Sequence, residues 1–247
     1  DIDFIPVSQG LDFWLDGVTK NDIFDDISNK AGNRYSIHGE VTSPFDYFLH
    51  LFGLERAFIA LVEEPSRSKD ILQRYTKGII RIAVEQARRR VDAIKISSPY
   101  AGAGFVSPGF YREFVLPYET QIAKAVRDCG VHVYTHTCGA ISDRLEMMAE
   151  AGVSGIECLD PPPLGNVRLD DAKRRVGDRI FIKGNIDPLN ILLLGAAETV
   201  KDDAEYRIEV GMPGGGFILS TACSIAPHTK KENIRVLVEV ASEKGKY

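Results

Sequence analysis

The chain has 247 residues, 30 Lys+Arg against 35 Asp+Glu, 44% hydrophobic and 26% charged positions, which is enough to bury a sizeable core. A net charge of −5 leaves no basic excess to displace counterions, so the composition excludes a general nucleic-acid binder. No apolar run approaches the roughly 18–20 residues of a membrane span, and no basic–apolar leader pattern opens the chain, so a cytoplasmic protein without a membrane partner is expected.

Along the chain, the first residue is Asp1 and an apolar, strand-like stretch follows at 2–7. Residues 10–33 show no clear period and are expected to form an irregular excursion. From about residue 33, short apolar β-like runs alternate with longer segments of helical period. The β-like runs are 35–37, 93–96, 131–135, 155–159, 180–183 and 216–220. Between the first two, Ile71, Leu72, Tyr75, Ile79 and Ile82 form one apolar stripe, with Lys and Arg on the other side. Phe110, Phe114, Tyr118, Ile122 and Val126 form a second, with Pro117 as its expected kink. Further helices are predicted over about 141–151, 169–176, 196–210 and 230–243.

Repeated strand–helix alternation implies parallel strands with covering helices, an α/β fold. The glycine cluster Gly214-Gly215-Gly216 precedes a strand instead of linking strand to helix, so it is read as a loop with unusual backbone angles and not as a phosphate cradle. Six β/α units without a dinucleotide-binding signature favour a (β/α)8 TIM-type barrel, incomplete in this chain, over a doubly wound sheet.

Four cysteines are too few for a disulfide scaffold, and cysteine in such a chain points to metal or catalysis. His136 and Cys138 sit two apart at the end of a predicted strand, so their side chains share a face. In a barrel that end forms the rim where active sites are built. Cys223 also follows a β-like run. A His/Cys/Cys set at strand ends suits zinc with one open position, and two thiolates disfavour magnesium and calcium.

Cys129 and Cys158 are read as small buried hydrophobes. Strand alternation places Glu157 and Cys158 on opposite faces, and Glu157, if it points inward, is a candidate fourth ligand or proton acceptor. The other reading is a solvated rim carboxylate. His38 is expected to close a strand and line the pocket, or else to be a satisfied core histidine. Tyr100, in the loop after the 93–96 run, is a candidate substrate contact. His50, His132 and His228 receive no role.

Lys183-Gly184-Asn185-Ile186-Asp187-Pro188 resembles the Gly-Asn-x-Asp-Pro signature of the uroporphyrinogen decarboxylase-like (β/α)8 barrels. Phe105-Val106-Ser107-Pro108, Phe110 and Phe114-Val115-Leu116-Pro117-Tyr118 are similar to another motif of that superfamily. Within it, His136-x-Cys138-Gly139 with the late Cys223 resembles the cobamide-dependent methyltransferase branch, in which His-x-Cys…Cys binds a catalytic zinc. The resemblance runs from about residue 33 to the end of the chain, as a single domain over 1–247. About two β/α units of the family precede the segment matched by His38, so a fragment of a longer chain is expected.

The resemblance implies methyl transfer between a small methylated or thiol substrate and the cobalt of a corrinoid supplied by a partner protein. It implies zinc on His136, Cys138 and Cys223, Glu157 and His38 as catalytic groups, and Asn185 and Asp187 as cofactor-binding positions. Tyr100, Phe105 and the Pro161-Pro162-Pro163 loop would select the substrate. The alternatives are metal-free decarboxylation of a porphyrinogen and a non-catalytic binding module.

Overall fold

The computed structural model describes residues 22–246. The strand-like stretch expected at 2–7, and the part of the irregular excursion before residue 22, lie outside the described residues. Helix α1 (Asp22–Ala31) and a 3-10 turn (Gly32–Arg34) lead into β1 (His38–Thr42), α2 (Pro44–Phe52), α3 (Leu54–Glu63), the long α4 (Pro65–Ala87) and β2 (Ala93–Ser97). Then come α5 (Pro108–Phe114), α6 (Leu116–Arg127), β3 (His132–Thr137), α7 (Leu145–Glu150), β4 (Gly155–Cys158), α8 (Leu169–Val176) and β5 (Phe181–Ile186). A π-helical turn (Pro188–Leu193), α9 (Ala197–Gly211), β6 (Phe217–Thr221) and α10 (Lys231–Lys244) complete the described chain. The sheet order is β1-β2-β3-β4-β5-β6, so strand order follows chain order with helices as the crossovers. That is the β/α alternation of a TIM-type barrel, with six strands among the described residues.

The contacts divide the chain into two compact units. Of the described residues, the first comprises 22–101, 109–135 and 151–153. In it β1 pairs in parallel with β2, from His38 opposite Ala93 to Thr42 opposite Ser97. Phe45, Phe48, Leu49, Leu72, Ile79, Ile94, Ile96 and Ile122 form its buried core. The stripe predicted on α4 is its buried face. The stripe from Phe110 to Val126 is also real, but Val115 (φ −120°, ψ −61°) breaks it into α5 and α6, with Pro117 in the first turn of α6.

The second unit comprises, of the described residues, 102–108, 136–150 and 154–246. Here β4 pairs in parallel with β5, and β5 with β6. Ile156, Leu159, Leu169, Val176, Ile182, Ile186, Leu192 and Val200 fill its interior. The three glycines before β6 have φ of 78°, 77° and 70°, the left-handed backbone expected of that loop.

Three expectations are corrected. Residues 22–31 are helical, not irregular: helix α1 is strongly amphipathic, and Ser28 on it is buried, with its hydroxyl donating to the Arg90 carbonyl at 2.7 Å. The first strand is His38–Thr42 and not 35–37, because its ladder with β2 begins at His38. The segment 43–63, for which no element was predicted, forms α2 and α3, whose start is set by the Ser43 hydroxyl capping the Asp46 N–H at 3.0 Å and by Pro44 in the first turn.

Candidate metal centre

Five side chains of the second unit converge because their strands end together. His136 is the penultimate residue of β3 and Cys138 follows that strand. Glu157 and Cys158 are the last two residues of β4, and Cys223 stands two residues beyond β6. All therefore sit at the C-terminal ends of parallel strands, the end that carries catalytic groups in barrels.

The geometry is specific. His136 Nε2 lies 3.3 Å from Cys138 Sγ, and Cys138 Sγ lies 3.9 Å from Cys223 Sγ. With zinc–sulfur bonds of about 2.3 Å and zinc–nitrogen bonds of about 2.0–2.1 Å, tetrahedral geometry places sulfurs about 3.8 Å apart and sulfur about 3.6 Å from nitrogen. The two observed edges at Cys138 are close to those an ion shared by these groups would need, and the donors are soft thiols and an imidazole. The residues fit zinc.

His136 Nδ1 lies 2.9 Å from Glu157 Oε2, which gives the ring a proton partner on the side away from Cys138. The other Glu157 oxygen accepts from Lys183 Nζ, which the ladder sets opposite it on β5. Both oxygens are thus engaged by cations or N–H donors. Glu157 thus holds both the ring and the lysine.

Strand alternation fails one residue later. Cys158 has φ 90° and Leu159 φ 46°, so the chain leaves the pleat at Cys158. Its thiol consequently joins the cluster: ligand atoms of His136, Cys138 and Cys158 all lie within 4.8 Å of one another. Cys158 is completely buried, as expected, but it is not a mere hydrophobe.

The protons distribute accordingly in the metal-free chain. Hydrogen bonding from the Cys158 thiol, opposed by burial and aided by His136, holds Cys138 down to about 6. The same thiol, again against burial, holds Cys223 down to about 5. Cys158 itself is pushed up by those two bonds and by burial. Burial works against a charged His136 ring, but the bonds to Cys138 and Glu157 outweigh it and raise the group to about 10.

The Gly184-Asn185 pair has a structural task here. A Cβ on Gly184 would lie 2.6 Å from the Cys158 carbonyl oxygen, so only glycine lets β5 approach the turn this closely. Asn185, fully buried, donates from Nδ2 to the Leu159 carbonyl at 3.1 Å and accepts from Arg207 Nη1 at 3.0 Å. Asp187 caps the turn after β5, accepting from the Leu189 and Asn190 N–H groups at 2.8 Å. Through these contacts Asn185 and Asp187 shape the loops after β4 and β5. Asp160, which accepts from the Gly139 N–H at 2.6 Å, likewise ties the loop after β4 to the one after β3.

The remaining candidates lie in the first unit. His38 opens β1 instead of closing a strand, with Nδ1 2.9 Å from the Tyr134 hydroxyl and Nε2 2.8 Å from the Ser36 hydroxyl. Tyr100 follows β2 in a short 3-10 turn, half-buried, with its ring edge-on to His50 at 6.0 Å. Among the described residues no helix is long and apolar enough to cross a membrane.

Comparison with known proteins agrees with this layout. The family model described as "Uroporphyrinogen decarboxylase (URO-D)" matches residues 22–244. A "Methylcobamide:CoM methyltransferase MtbA" of Methanosarcina acetivorans is 29% identical over 224 residues, covering 87% of this chain and 60% of the relative. A "Uroporphyrinogen decarboxylase" of Thioalkalivibrio sulfidiphilus is 29% identical over 191 residues, covering 75% of this chain and 51% of the relative. A solved methyltransferase from Methanosarcina mazei superposes with a TM-score of 0.81 at 23% identity, over 92% of this chain and 64% of its own. The chain thus spans about half to three-fifths of the curated relatives it matches.

Proposed function

Because the chain belongs to the uroporphyrinogen decarboxylase family, and because His136 and Cys138 gather with further cysteines at the ends of parallel strands, we propose that it is a zinc-dependent methyltransferase. The methyl group passes between a small thiol or methylated substrate and the cobalt of a corrinoid carried by a partner protein. The observation that carries this reading is the pair of edges at Cys138, 3.3 Å to His136 Nε2 and 3.9 Å to Cys223 Sγ. Methylcobamide-dependent relatives among the similar proteins support it.

Bound zinc would lower the pKa of a substrate thiol so that it reacts as thiolate at neutral pH. The chain's own residues prepare that chemistry. Cys138 and Cys223 reach the thiolate form readily, and His136 presents Nε2 while Glu157 accepts its Nδ1 proton. Lys183 pairs with the other Glu157 oxygen, so the carboxylate that orients the ring has a cationic partner. Tyr100, at the C-terminal end of β2, is proposed as a substrate contact.

Metal-free decarboxylation is the second reading, favoured by the family description itself. It needs cations for the carboxylates of a porphyrinogen, whereas Lys183 at this site is already engaged by Glu157. Transfer from methylcobalamin to small thiols, followed by loss of the methyl-cobalt absorbance, tests the choice. Zinc-loaded protein should transfer and chelator-stripped protein should not. Equal turnover in both states, or release of CO2 from a porphyrinogen by the stripped form, would reject the zinc reading.

A further inference from the structure

Cys158 is the member of the cluster whose placement has no counterpart in a His-x-Cys…Cys spacing. Three independent features aim it at the site. Its backbone turns out of the pleat at φ 90°, so it and Glu157 approach the same cluster from consecutive positions. Its sulfur lies within 4.8 Å of the ligand atoms of both His136 and Cys138, and Cys138 Sγ in turn lies 3.9 Å from Cys223 Sγ.

The third feature is the grip on that turn. Gly184 leaves room for the Cys158 carbonyl, where any Cβ would stand at 2.6 Å, and Asn185 fastens the next carbonyl, that of Leu159. Arg207 in turn fixes the Asn185 amide while pairing with Asp203. A left-handed non-glycine residue is held only where its surroundings determine it, and such positions gather at functional sites. This turn is held by two residues of β5 and one of α9.

We propose that Cys158 is the fourth protein ligand of the metal, giving a His136–Cys138–Cys158–Cys223 set in the resting state, with Gly184 and Asn185 as the residues that position it. The inference rests on the zinc reading above and extends it. A resting set of three sulfurs and one nitrogen leaves no place for water, so a substrate heteroatom must enter by replacing a ligand. An ordinary catalytic zinc keeps that position open from the start.

Zinc K-edge X-ray absorption, together with the cobalt-substituted protein, counts the sulfurs without reference to activity. The unsubstituted protein should fit three sulfurs at about 2.3 Å and one nitrogen near 2.0–2.1 Å. Cys158→Ser and Cys158→Ala should keep the metal but lose one sulfur, and the sulfur-to-cobalt charge-transfer band per bound cobalt should fall by about one third. Competition with a chelator should show at least a tenfold loss of affinity.

Far-ultraviolet circular dichroism of the stripped forms checks that both variants fold. Two sulfurs in the unsubstituted protein, or an unchanged sulfur count in both Cys158 variants while Cys138→Ser loses one, overturns the proposal for Cys158 and leaves the zinc reading intact. No metal bound by the unsubstituted protein overturns both.

Discussion

His136 Nδ1 and Glu157 Oε2 stand 2.9 Å apart, an arrangement that fixes which ring nitrogen faces the sulfurs. A carboxylate on the far nitrogen sets the tautomer and makes the near one a better donor. Glu157→Ala removes that orientation and the carboxylate that Lys183 pairs with. Its zinc affinity should fall by about 10–100-fold, the usual effect of losing such a partner. Glu157→Gln, which can still accept the Nδ1 proton through its carbonyl, should lose less. Chelator competition measures both, and equal losses would count against the orienting role.

The loop signature yields a second prediction. Asn185→Ala removes the donor from the Leu159 carbonyl and the acceptor from Arg207, both in buried surroundings. Unsatisfied buried groups cost about 1–3 kcal/mol, which in a chain of this size lowers Tm by roughly 2–4 °C per kcal/mol. Gly184→Ala should be at least as harmful, because its Cβ meets a backbone oxygen at 2.6 Å and not a movable side chain. Thermal melts of the metal-free forms test these effects, and an unchanged Tm in both would remove the structural role assigned to the signature.

A third prediction concerns protons away from the metal. Asp46 and Glu119 are buried carboxyls of the first unit. Burial, against bonds from Ser43, the Tyr100 N–H and Ser98, raises Asp46 to about 6. Burial, aided by the nearby Asp46, raises Glu119 to about 7 despite Ser98 and Thr135. Groups raised in the folded state bind more protons there than in the unfolded chain. Their stabilisation is therefore complete below the ordinary carboxylate range and is lost as pH rises through about 6 to 7.

Cys138 and Cys223 act in the opposite sense, since their folded values are depressed, so the informative quantity is a difference between variants. Glu119→Gln should gain Tm relative to the unsubstituted protein as pH is taken from 5 to 8. A difference that stays constant over that range would contradict the raised value.

How much of this was legible beforehand depends on how locally each feature is determined. Strands β2 to β6 and helices α8 to α10 announce themselves through apolar runs and period, and the observed bounds lie within a few residues of those expected. Strand β1 does not, because His38, Gly39, Glu40 and Thr42 are a polar composition for a strand and only the ladder with β2 selects them. His136, Cys138 and Cys223 were recognisable because strand ends are readable and the residue types are chemically distinctive.

Cys158 was not recognisable, since period-two alternation sends it away from Glu157. The reversal comes from a left-handed turn enforced by Gly184 and Asn185, about 26 residues further on. The Asn185 side chain meets the Leu159 carbonyl and Arg207, contacts that no local sequence pattern reveals.

Metal content bears most directly on the zinc centre. Protein purified without chelator should carry about one zinc per chain. His136→Ala and Cys223→Ala should each retain only a small fraction of it while keeping the secondary structure of the parent. Zinc bound at the parental level in both variants would contradict the assignment of these residues as ligands, and with it the methyltransferase chemistry proposed for the site.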